Sequence, residues 1–151
     1  MLSKARSPLL RPPEARRGPL AAGAIVLHVI LGLGALGGGS ALMLGPRGEL
    51  LPLPVSLLSG SPFETYWGPG LILFAFLGVF PILVAVLAWR HHRWAPLLTF
   101  SVGTTLLIWM AVEIAIIGYA KNPPLQPIYI GLGITICAVG LAWLRQSGRD
   151  P

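Results

Sequence analysis

Charge is what this sequence has least of. Only 11% of its 151 residues are Asp, Glu, Lys or Arg, against about 25% in soluble domains, while 54% are apolar. That shortage excludes an ordinary water-soluble domain. Cysteine is scarcer still. Cys137 stands alone, which excludes an internal disulfide, a CxxC redox pair and a thiolate zinc site; its expected role is that of a small apolar packing residue. Four of the five acids (Glu14, Glu49, Glu64 and Asp150) lie outside the apolar runs. Paired carboxylates, a glycine-rich phosphate loop and a nucleophile–base spacing are all lacking, so nothing points to an enzyme.

What the chain does have is length of apolar sequence. Runs of about 20 apolar residues are long enough to cross a bilayer, and there are four, over 19–44, 65–89, 94–120 and 122–144. They predict an all-α fold, a polytopic membrane protein with four transmembrane helices in a bundle. The expected layout is an arm over 1–18 and a four-helix membrane domain over 19–144. Within that domain the first helix covers 19–44 and an outer loop 45–61. An interfacial helix plus the second span covers 62–89, and the third and fourth spans cover 95–120 and 124–144. A tail over 145–151 follows. The net charge of +6 would raise the question of nucleic acid in a soluble protein, but nine of the eleven Lys and Arg residues fall on one side of the four spans. Only Arg47 and Lys121 fall on the other. The positive-inside rule then predicts both termini in the cytoplasm, so the basic balance reflects topology and implies no nucleic acid.

The first 18 residues, MLSKARSPLLRPPEARRG, lack helical periodicity and predict a disordered basic arm able to touch anionic headgroups. The apolar run behind them exceeds the 7–15 residues of a signal-peptide core and no A-x-A site follows it, so a retained helix is expected. That helix is dense in glycine, and Gly34-x-x-x-Gly38 has the spacing of a close helix–helix contact; on the fourth span Gly131 and Gly133 repeat the small-residue theme. The outer loop is apolar enough to lie along the membrane surface. It ends in Ser61-Pro62-Phe63-Glu64, the pattern of a capping box, which predicts a helix from Pro62 with a bend at Gly68-Pro69-Gly70. Pro81 predicts a kink within the second span. Arg90-His91-His92-Arg93, between Trp89 and Trp94, predicts a tight cytoplasmic turn in an aromatic belt.

Several of these pieces come together as GSPF (60–63), PGLIL (69–73), Trp109 with Glu113, IGY (117–119) and LQP (125–127). In that combination the chain resembles a family of small four-helix bacterial integral membrane proteins of unknown function. The resemblance covers most of the chain, from about residue 23 to 144. It implies a four-helix topology and a bacterial plasma membrane, and it brings no activity. Small multidrug exporters also have four helices and one membrane glutamate, but carry that acid in the first helix. Claudin-like proteins need a disulfide in the first outer loop, where this chain has no cysteine.

Glu113 is the one acid inside a span, and an ionisable group there is expected to face the bundle and to have a partner. With the third helix running to 120 it lies about 10 Å below the outer end, on a face shared with Trp109. Gln126, Tyr129 and Tyr119 are the expected hydrogen-bond donors, and Arg47 could reach it from the loop. Two roles follow: a tie between the third and fourth helices, or a proton or cation site open to the outside. His28, deeper in the first helix, is expected as a packed histidine, with a relay to Glu113 as the sharper alternative. A haem would need a second axial ligand at the same depth, and His91 and His92 lie at the surface, so no cofactor and no metal are expected. Two function classes remain. One is a structural or accessory membrane protein whose partners are the bilayer and a second membrane protein or copy of itself. The other is a small proton-linked permease or sensor.

Overall fold

A computed structural model of the chain describes residues 18–51, 53–119 and 124–148. The expected basic arm, apart from Gly18, lies outside these residues, as do Lys121 and Arg149. Four long helices dominate: α1 (Pro19–Leu44), α2 (Trp67–Trp89), α3 (Ala95–Ile117) and α4 (Leu125–Ser147). Each is long and apolar enough to span a membrane, with mean hydropathy of 1.9 to 2.9. Prolines sit where they cost least. Pro19 and Pro96 occupy the first turn of α1 and α3, where backbone N–H groups have no helical partner in any case. Pro69 falls in the first turn of α2, and the helical hydrogen bonding continues unbroken through Gly68-Pro69-Gly70 for the same reason.

The helices form a ring. α1 packs against α2 and α4, and α3 against α4 and α2, which leaves α1 and α3 on one diagonal. A core of Leu31, Ala35, Leu77, Val84, Val102, Leu106, Met110 and Ile136 fills the middle, with Trp109 and Tyr129 packed against it. Two antiparallel pairs carry the tightest contacts, both built on glycine. Between α1 and α2, a Cβ on Gly39 would stand 2.8 Å from the carbonyl oxygen of Gly70, and one on Gly32 would stand 2.6 Å from Ile82. Between α3 and α4, a Cβ on Gly140 would meet Phe100 N at 2.5 Å, and one on Gly133 would meet Leu107 at 2.8 Å. Backbones this close require residues without side chains. The close approach on α1 therefore runs through Gly32 and Gly39, seven residues apart, and not through Gly34 and Gly38. Among the described residues, a Cβ on Gly34 would meet only the Tyr129 hydroxyl within 4 Å, and one on Gly131 of α4 would meet nothing.

At Pro81, where the sequence predicts a kink, the helix changes type just before the proline. Residues Leu73–Val79 of α2 form a π-helix, and the turn closes with Phe80 N–H donating to Ala75 O, five residues back. A proline lacks the N–H that would bond residue 77, and its ring crowds that carbonyl. Widening the preceding turns relieves that clash.

The segment joining α1 to α2 closes one end of the bundle. Leu58 and Tyr66 are buried with Leu42 in a second core, flanked by Leu53, Phe63 and Ile116. The Tyr66 hydroxyl donates to Pro54 O at 3.0 Å and its N–H to Pro46 O at 2.8 Å. The expected helix from Pro62 is not formed. Ser61 Oγ accepts instead from Phe63 N–H at 3.2 Å, a local turn that competes with helical capping. Among the described residues of this segment the helical turn is a 3₁₀ turn at Val55–Leu58, and α2 begins at Trp67. At the other end, Arg90-His91-His92-Arg93 makes the tight turn between α2 and α3, with His91 in the left-handed region at φ 54°.

Candidate functional site

Glu113 sits near the loop end of α3, four residues before its last residue, Ile117. That is about 6 Å from the helix end, shallower than the sequence suggested. The reason is Gly118. It takes φ 79°, which side-chain-bearing residues rarely adopt, and its N–H closes on Ile114 O, so the helix stops before 120. Gln126, the second residue of α4, is 3% exposed. Its Nε2 donates to Glu113 Oε1 at 3.3 Å and to Gly118 O at 3.1 Å. One buried amide thereby stitches the last turn of α3 to the first turn of α4. The Glu113 carboxyl is half-buried, and its Oε2 accepts no hydrogen bond from any described residue.

The other expected donors lie elsewhere. Tyr129 is one turn deeper on α4 and points toward α1, its hydroxyl 3.8 Å from where a Cβ of Gly34 would stand. Tyr119 lies past the end of α3 and is 56% exposed. Arg47 stays in the loop, where its backbone N–H donates to Glu49 Oε2 at 2.8 Å. Trp109 belongs to the central core. Of the expected donors among the described residues, only Gln126 meets Glu113.

His28 is fully buried, and its Nε2 lies 3.1 Å from Oγ1 of Thr99, also fully buried. The bond crosses the bundle along its diagonal, from α1 to α3. Nδ1 has no partner among the described residues. Sequence reasoning overlooked Thr99, although periodicity carried the signal. Thr99, Val102, Leu106 and Met110 form the buried stripe of α3, and Ala21, Ala24, His28, Leu31 and Ala35 that of α1. A hydrogen bond marks it too. Ser101, Thr104 and Thr105 each donate to the carbonyl four residues back, whereas Thr99 turns inward to the imidazole.

These two polar pairs lie far apart. Fourteen residues of α3, about 21 Å of helix, separate Thr99 from Glu113, and the buried stripe between them is Val102, Leu106 and Met110. Cys137 Sγ lies 3.8 Å from Phe100 O and 3.9 Å from Thr104 Oγ1, a packing contact between α3 and α4. Among the described residues no group of three His, Cys, Asp or Glu side chains is placed to hold a metal ion. An open groove of about 340 Å³ beside the π-helix is lined by Ala75, Phe76, Phe80, Ser101 and Thr105. Both hydroxyls there donate to their own helix, which leaves only their acceptor lone pairs facing the groove. His28 with Thr99, and Gln126 with Glu113 and Gly118, are hydrogen bonds from one helix to another. Comparison with known protein families, with curated proteins and with solved structures returns no match to this chain.

Proposed function

We propose that this chain is a structural or accessory protein of a bacterial plasma membrane, with both termini cytoplasmic, which works by binding another membrane protein or a second copy of itself. The observation that carries this reading is the separation of its two embedded ionisable groups. His28 is tied to Thr99 and Glu113 to Gln126, and a buried apolar stripe lies between the pairs. A proton-linked carrier needs a continuous polar path across the bundle, and polar side chains inside a membrane otherwise serve as interhelical ties. Open glycines on the outer faces add support. Gly37 and Gly131 are exposed, and a Cβ at either would meet no described residue within 4 Å, so a further helix could approach them closely. Nothing in this reading calls for catalysis or a cofactor.

The test is purification of the tagged full chain from its native membrane in mild detergent. A stoichiometric membrane-protein partner or a discrete homo-oligomer is the expected result; a lone monomer in every detergent tried would count against it. One observation favours a second reading, a proton- or cation-linked permease or sensor. Glu113 is half-buried, and its Oε2 has no donor among the described residues. Carbodiimide labelling decides between them, with Glu113→Gln as the blank. Protection at all pH values fits the interhelical tie, whereas ready labelling that titrates with pH fits the site.

A further inference from the structure

The two ends of the bundle differ in charge. At the loop end stand the acids Glu49 and Glu64, with Glu113 one turn inside. At the other end stand Arg90 and Arg93 in the α2–α3 turn and Arg145 in the last turn of α4, all exposed. No described acid lies there, and none of these arginines makes an ion pair with a described residue.

The packing brings the three arginines to one level. Gly140 of α4 meets Phe100 of α3 backbone to backbone. The two helices are antiparallel, so five residues from that contact toward the same end give Arg145 on α4 and Ala95 on α3, each about 7.5 Å further out. Arg145 therefore stands level with the start of α3, where Arg93 and Trp94 lie. Arg93 is laid over the Trp94 ring, its guanidinium carbon 5.4 Å from the ring centroid, which holds the charge at a defined height while leaving its N–H groups unspent. Trp94 N–H donates to His92 Nδ1 at 3.3 Å, fixing that turn. Trp89 and Trp94 are about half exposed, as side chains at a headgroup boundary are. The result is a cationic ledge, rimmed by tryptophan, where the apolar spans end.

We propose that this ledge binds anionic phospholipid headgroups, with Arg93 and Arg145 taking the phosphate from two sides and Arg90 adding charge from the turn. A lipid is the occupant because the ledge sits where four spanning helices emerge, so the molecule next to it is a headgroup, and arginine with no acid partner among the described residues at that height complements a phosphodiester. This inference is independent of which partner the bundle recruits.

The experiment uses the full chain in phosphatidylcholine vesicles, with brominated phosphatidylglycerol or brominated phosphatidylcholine as quencher of tryptophan fluorescence. Phosphatidylglycerol should quench at lower mole fraction, by about fivefold for each arginine engaged. The preference should collapse in high salt, where charges are screened over about 3 Å. It should also be lost in Arg90→Gln/Arg93→Gln/Arg145→Gln, weakened in Arg93→Gln alone, and kept in Arg47→Gln at the opposite end. Equal quenching by the two lipids in the unaltered protein overturns the proposal. So does a preference that survives the triple substitution, which would move the binding to residues 1–17.

Discussion

The α1–α2 and α3–α4 pairs solve one problem in two ways. Both bring antiparallel backbones together at glycine. The α1–α2 pair adds no side-chain hydrogen bond of its own among the described residues, and the long segment between its helices is packed as a second core around Tyr66. The α3–α4 pair has a short connection and is fastened by side chains instead, through Gln126 to Glu113 and Gly118 and through Cys137 to Phe100 O. A long connection can bury its own residues and become the fastener. A short one leaves the helix ends to tie themselves.

The comparison breaks first at the glycines. Gly140→Leu should cost about 3 kcal/mol or more, because the added side chain meets Phe100 backbone, which cannot yield as a side-chain tip would. Gly39→Leu should cost as much, since it meets Gly70 O and Phe74 N. Unfolding in mixed micelles titrated with dodecyl sulfate measures both, and a much smaller loss for either would mean that its pair is not set by backbone contact.

The fasteners come next. Gln126→Leu should cost about 1 kcal/mol and speed amide exchange at the end of α3, while exchange in the α1–α2 pair stays unchanged. Glu113→Gln, which keeps an acceptor for Gln126, should cost much less. In the other pair, Tyr66→Phe should cost about 1 kcal/mol for the lost bond to Pro54 O. Burial holds the Tyr66 phenol above its ordinary value. As pH rises through about 10, the unfolded chain releases that proton while the folded chain keeps it, so stability falls; below that pH the two states match. The Phe variant should lack this alkaline loss. Smallest of all, Gly34→Ala and Gly131→Ala should shift stability by no more than about 0.5 kcal/mol, since a Cβ there meets the Tyr129 hydroxyl at 3.8 Å or nothing.

The four helices were legible in the sequence because length and apolarity are all a membrane span needs. Helix ends were less so. Gly118 stops α3 before 120 through a backbone conformation that a flanking apolar run conceals, and Ser61 spends its hydroxyl on a turn where its spacing to Glu64 suggested a cap. Gln126 was legible as a partner of Glu113 because both lie near one end of adjacent helices. Tyr129 and Tyr119 shared that end but differ in direction, and depth alone does not give direction. Which glycines make contact also needed the structure, for spacing identifies a face without saying what lies opposite.

The π-helix in α2 bears on how this chain can vary in length. Gly32 and Gly39 are seven residues apart, so they recur on one face of α1. Their partners on α2, Gly70 and Gly78, are eight apart, which on an α-helix would turn the second about 80° away from the first. The widened turns of Leu73–Val79 absorb that surplus residue and return Gly78 to α1. The second span therefore carries one residue more than its contacts use. A relative lacking one residue within that stretch would keep both glycines in phase on a plain α-helix. The same loss between Gly32 and Gly39 would put the α1 contacts out of step. Single-residue deletions should accordingly be tolerated in the middle of α2 and rejected in the facing part of α1.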